Sequence, residues 1–237
     1  VQGHASLLYF VRAPHLTDCD EILGRIKKIA QGAALMTETE VNIRVLGGLS
    51  DYIPNPTACG LLSDAFIAQG GPDFGEEEFA IARKFLAAMP EETRRKVIAQ
   101  GAKVNGISEE EFASRPLNTA IIPYSDKVRE MLMTGSTDVG DVSYITPTAQ
   151  YLVADMVPGT GAHTWQFAAQ VGTSIGDKAS QAIPRAIAYA CTMVDENPAL
   201  AVQAQTELLA RTGGVYLSPI PVGVHPVTAR YTPSPLG

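Results

Sequence analysis

No stretch of this chain comes near the ~20 consecutive apolar residues that a membrane-crossing helix requires. The N-terminus has no charged segment leading into a hydrophobic signal core. Lysine and arginine form no extended basic cluster, and the net charge is −7. Nucleic acid and anionic membranes both demand a basic face, so neither is expected as a partner; small molecules and other proteins are. Cysteine is scarce and odd in number: Cys19, Cys59 and Cys191 lie far apart and form no C-x-x-C pair. They read as reduced thiols and place the protein in the cytoplasm. Aromatic residues are few, and Trp165 is the one tryptophan. There is no H-E-x-x-H and no close His/Cys/Asp cluster. A zinc centre takes roughly three or four ligands, so recognisable motifs in this chain do not close one.

What is present is an ordinary globular balance. Hydrophobic residues make up 46 % of the chain and charged residues 18 %, which excludes a disordered tail, a collagen and a coiled coil. The length, 237 residues, allows one large or two modest domains with a substantial core. Val1 stands where a start methionine would, and an apolar run follows within a dozen residues. The chain is therefore expected to begin inside a fold.

That run, "SLLYFVR", has strand length, closes on Arg12 and is stopped by Pro14. Thr17 or Asp18 can cap a helix on which Ile22, Ile26, Ile29 and Ala33 form one apolar stripe, with Lys27 and Lys28 off it. In "VNIRVL", Val41, Ile43 and Val45 alternate with Asn42 and Arg44 as in a half-buried strand. The resulting β-α-β unit is too small to cover its own sheet faces and edges, so it reads as half of a small α/β sandwich. The linker "GGLSDYIPNPT" follows. Helices are expected over Ala58 to Gln69 and Glu76 to Ala88, the second opened by Glu76, Glu77 and Glu78. Pro90 to Arg115 is charged and weakly periodic, suggesting short surface helices. "TAIIPYS" reads as a brief strand or turn and "YLVADMV" as a strand. Helices from about Ser180 to Val194 and from Pro198 to Arg211 precede a proline-rich tail.

Three places could carry chemistry, and each has a plain structural alternative. His163, in "PGTGAHTWQ", sits on a loop after a predicted strand, where sites are commonly built; the alternative is a local hydrogen bond. His4, His15 and His225 have weaker claims. The Gly135, Ser136, Thr137, Asp138 run opens "GSTDVGDVSYITPTAQ", which packs Asp138 and Asp141 among hydroxyls and glycines. It could line a site, or it could be a turn in which Asp138 bonds backbone amides two residues on. Arg12 ends a strand otherwise free of charge, so its guanidinium either pairs with a protein carboxylate or awaits one from a ligand. "TGG" at Thr212 to Gly214 lacks the flanking strand and spacing of a phosphate loop.

The segments "VQGHASLLYFVRAP", "IAQGAALMTETEV", "GSTDVGDVS", "GTGAHTWQ", "TSIGDK" and "SPIPVGVHPV…PSPLG" carry a resemblance. In order, and through essentially the whole chain, they are similar to the C-terminal half of the M20 group of metal-dependent amidohydrolases and peptidases, in its aminobenzoyl-glutamate branch. The resemblance implies an α/β fold: residues 1–50 as the second half of a lid, or dimerisation, domain, and residues 51–237 as the C-terminal half of a zinc-peptidase-like catalytic domain.

It also implies roles. His163 matches the last metal ligand, Arg12 the lid arginine that holds a substrate carboxylate, and Gly135, Ser136, Thr137 and Asp138 the loop lining the substrate cleft. The general base and the other ligands of a two-metal site, zinc or manganese, are expected upstream of this chain. The implied reaction is hydrolysis of an aminobenzoyl-glutamate-like or N-acyl amino acid amide. The implied partners are the missing N-terminal half and a homo- or hetero-dimer mate bound through the lid. By itself the 237-residue chain is expected to be inactive. Two departures from the branch are an asparagine that would fall just before Val1 and Asp177 where a histidine is expected. The alternative function is a noncatalytic partner subunit or interaction module.

Overall fold

The computed structural model describes residues 3–125 and 135–224. Val1, His225 and the "PSPLG" ending lie outside the described residues. The chain divides into two compact units. The first comprises the described parts of Val1–Ile53, Leu132–Thr146 and Thr212–Gly237, and the second those of Pro54–Met131 and Pro147–Arg211.

The α/β expectation is overturned: every regular element among the described residues is helical, and no strand or sheet occurs there. "SLLYFVR", "VNIRVL" and "YLVADMV" have the length and apolar composition of strands, and "VNIRVL" their alternation, but none has a hydrogen-bonded ladder. The physical reason is that a strand exists only as one side of a pairing, since a two-stranded fragment is at best marginal in water. In the first unit Leu7, Leu8, Tyr9 and Phe10 are 66–81 % exposed, so no described neighbour supplies the other side. "YLVADMV" instead buries Val157 completely and packs Ala154 against the helical core of the second unit.

In the first unit, α1 spans Leu16–Thr37. His15 is its N-cap, but no side chain of the local sequence caps it. The cap arrives from a distance: Asp51 Oδ1 accepts the Leu16 amide at 3.3 Å, placing a carboxylate where the helix dipole favours negative charge. The helix closes at Glu38, whose left-handed backbone sends its N–H to the Ala34 carbonyl. The predicted stripe forms, yet α1 buries no residue, and Ile29 is 69 % exposed. The short α6, Val139–Ser143, is also in this unit.

The second unit holds α2 (Pro56–Gln69), α3 (Glu76–Ala87), α4 (Glu91–Asn105), α5 (Glu109–Ser114), α7 (Trp165–Val171), α8 (Ser174–Glu196) and α9 (Ala199–Thr212). Its core gathers Phe79, Ala82 and Leu86 of α3, Val97 and Ala102 of α4, Phe112 of α5 and Ile175 of α8, with Leu117 and Val157 from the connections. Residues 90–115 are thus part of the core and not only surface. The cause is Gly101: a Cβ there would lie 2.1–2.5 Å from the Phe112 ring, so α4 makes its contact with glycine and alanine, which a search for large apolar residues passes over. In α8 the buried Ala179, Ala182, Ala186 and Ala190 recur at helical spacing. That face packs on α2, and its small side chains permit close approach.

Candidate functional site

The first unit brings Arg12 and the Gly135–Asp138 run together. Arg12 Nη1 donates to Ser136 Oγ at 3.0 Å across 124 positions of sequence. The guanidinium also lies over the Phe10 ring, 5.9 Å from its centroid, within range of a cation–π contact. It forms no ion pair among the described residues, and both Arg12 and Ser136 are exposed.

The run itself is a turn entering α6. Thr137 Oγ1 accepts the Val139 amide at 3.3 Å, and the Thr137 carbonyl accepts the Gly140 amide at 3.1 Å. The residue that bonds two positions on is therefore Thr137; the Asp138 carboxylate instead accepts from Thr137 Oγ1 at 3.4 Å.

The turn is fixed to residues 50–53. A Cβ on Gly140 would fall 2.1 Å from the Ser50 carbonyl oxygen, so only glycine lets the two backbones lie this close. Ser143 Oγ accepts the Ile53 amide at 2.9 Å and donates to the Gly140 carbonyl at 2.6 Å. Asp141 Oδ1 accepts from the Ser50 amide and from Tyr216 Oη, each at 3.1 Å. Burial, and then the Asp141 carboxylate, push the Tyr216 phenol upward.

Asp51 is a second hub. Besides the Leu16 amide it binds His15 Nδ1 at 3.3 Å and Tyr144 Oη at 3.2 Å. Burial opposes its ionisation, but the hydrogen bonds from His15, two backbone amides and Tyr144 outweigh it and hold the carboxyl below its ordinary range. Asp51, Tyr144 and Tyr216 carried no local signal. Their partners stand 35, 93 and 75 positions away, and Asp51 sat inside what read as a linker.

His163 belongs to the second unit. It is exposed and has a left-handed backbone, φ 60°. Outside glycine that region is uncommon, histidine is among the residues enriched in it, and such positions concentrate at functional sites. The turn that holds it is built by Gln170, which is fully buried. Gln170 Oε1 accepts the Val157 amide at 2.8 Å, and its Nε2 donates to Thr160 Oγ1 at 3.0 Å. Thr164 Oγ1 then donates to the Gly161 carbonyl at 2.8 Å and accepts the Phe167 amide at 3.3 Å, capping α7. The imidazole itself makes no hydrogen bond among the described residues, so the local-bond alternative for His163 finds no partner there. Gln170 braces this loop and was missed by reading the sequence; a lone glutamine on a short helix gives no warning of burial.

No group of three or more His, Cys, Asp or Glu side chains is arranged to hold a metal among the described residues. The described residues do not by themselves assemble a metal centre. Asp177 is exposed in the first turn of α8.

The chain is 35 % identical over 241 aligned residues to a p-aminobenzoyl-glutamate hydrolase subunit from Escherichia coli (strain K12), a match that covers all of this chain and 48 % of that protein. It spans about half the length of the curated relative it matches. The likeness read from the motifs to the aminobenzoyl-glutamate branch is borne out by this match. No family model matches the chain, and no solved structure matches it.

Proposed function

We propose that this chain is the C-terminal half of an M20-type, metal-dependent amidohydrolase that cleaves p-aminobenzoyl-glutamate or a similar N-acyl amino acid. In this reading residues 1–50 are half of a dimerising lid, and residues 51–237 are half of the catalytic domain. The general base and the remaining ligands of a zinc or manganese pair come from the N-terminal half. The relative is named as a subunit, which supports work alongside a partner chain. The three cysteines are free, and no described helix is long and apolar enough to cross a membrane; both agree with a cytoplasmic setting.

The observation that carries the proposal is the Arg12–Ser136 contact. Two segments far apart in sequence, both assigned to the substrate by the resemblance, meet as an exposed guanidinium with a neutral hydroxyl partner. Ser136 fixes one nitrogen and leaves the rest of the planar fork for a bidentate bond to a glutamate carboxylate. That bond orients the substrate and adds no chemistry of its own. His163, on its pinned turn, would supply one imidazole nitrogen. A divalent metal held in part by His163 would polarise an amide carbonyl and activate water.

Arg12→Lys keeps the charge but loses the fork. In the complete protein it is expected to weaken glutamate-type substrates by ~1.5–3 kcal/mol, the range for hydrogen bonds to charged groups. Melting temperature should stay nearly constant, since Arg12 makes no ion pair among the described residues. kcat/KM for substrates with and without the carboxylate checks this. An equal loss on both, with a large fall in melting temperature on Arg12→Ala, assigns Arg12 to structure instead. A noncatalytic partner subunit is the second reading, favoured by the word "subunit" in the relative's name.

A further inference from the structure

We propose that Trp165 is the specificity-determining contact for an aromatic acyl group on the substrate. This inference rests on the amidohydrolase reading above.

Trp165 is the chain's one tryptophan and is 71 % exposed. An indole has one of the largest apolar surfaces of any side chain and is highly buried on average. Tyr9 and Phe10, the other described aromatic side chains more than half exposed, lie in the first unit. Trp165 stands two residues after His163, as the first residue of α7. The turn that presents the imidazole therefore presents the indole as well. Thr164 caps α7 from between them, and Gln170, from the far end of the same helix, ties the preceding loop to it. Trp165 is thus held out on a fixed turn and not on a loose tail. An exposed, electron-rich ring two residues along a pinned turn from a candidate ligand is suited to offset stacking on a second planar ring. The group it fits is an aromatic acyl moiety such as p-aminobenzoyl. A saturated ring of the same size gains the apolar contact but not the stacking.

The test uses the complete protein, loaded with metal, and two substrates: p-aminobenzoyl-glutamate and cyclohexanecarbonyl-glutamate. Trp165→Leu should lower the preference for the aromatic substrate by about 2- to 10-fold, the size of an aromatic pair contact, and Trp165→Phe should restore most of it. In a nitrogen-15 spectrum, the single indole N–H resonance should move on titration with p-aminobenzoate. Equal losses on both substrates, or an unmoved indole resonance, would overturn the role of Trp165 while leaving the amidohydrolase reading intact. Failure of the wild type to cleave either substrate would remove that reading, and this inference with it.

Discussion

Replacing His163 in the complete protein is expected to lower kcat/KM by at least ~100-fold and to reduce bound metal. Even residues behind the direct ligands are worth about 10- to 100-fold in metal affinity or activity, and His163 is proposed as a direct ligand. The choice of substitution matters because His163 holds φ 60°. Alanine there adds roughly 1–2 kcal/mol of left-handed strain, whereas asparagine tolerates the conformation. His163→Asn therefore removes the imidazole with the turn preserved. The Gln170 and Thr164 bonds involve no atom of His163, so the melting temperature of His163→Asn should match the wild type. Metal content by elemental analysis decides the matter: unchanged stoichiometry in His163→Asn returns the residue to an ordinary surface loop.

The second large effect is on stability in acid, and it comes from Glu78. This side chain opens α3 and is fully buried. Burial raises its pKa, but Lys178 Nζ at 2.7 Å, the Gly75 amide at 2.7 Å and its own amide overcome that, and the pKa falls to about 2. The folded value lies below the ordinary 4.5, so the carboxylate stabilises the fold above pH 4.5 and that contribution disappears as the pH falls through 2. The difference corresponds to about 3 kcal/mol. Glu78→Gln should lose roughly that amount at pH 7 and show a flatter acid limb than the wild type. Urea unfolding of both proteins at several pH values between 7 and 2 measures it. Parallel stability curves would mean that Glu78 is not the group being titrated.

Local pattern made the helices legible. Ala58 to Gln69 and Glu76 to Ala88 correspond to α2 at Pro56–Gln69 and α3 at Glu76–Ala87; the Glu76–Glu78 cluster marked the start of α3, whereas α2 begins two residues earlier than expected, behind the Asn55 cap. The α1 stripe of Ile22, Ile26 and Ile29 was equally visible, but a stripe shows which face is apolar and not what covers it. The strands failed for a related reason. Alternation in "VNIRVL" specifies two faces, while a ladder also needs a neighbour that no window of residues contains. Among the candidate residues, Arg12 and Ser136 of the first unit and His163 of the second stood out by chemistry: a charge ending an apolar run, hydroxyls among glycines, a histidine on a loop rich in glycine and threonine. The groups that hold the surroundings in place, Asp51, Asp141, Tyr216 and Gln170, act through long-range bonds, and their spacing obeys no periodicity.

The central claim is that this chain is half of a metal-dependent amidohydrolase, and release of glutamate from p-aminobenzoyl-glutamate tests it most directly. The assay compares the complete protein, loaded with zinc or manganese, with the purified 237-residue chain alone. The account predicts glutamate release by the complete protein, stopped by a chelator and restored by metal, and none by the chain alone, for which it proposes one ligand, His163, where about three or four are needed. Chelator-sensitive turnover by the isolated chain, or an intact substrate after incubation with the metal-loaded complete protein, would contradict it.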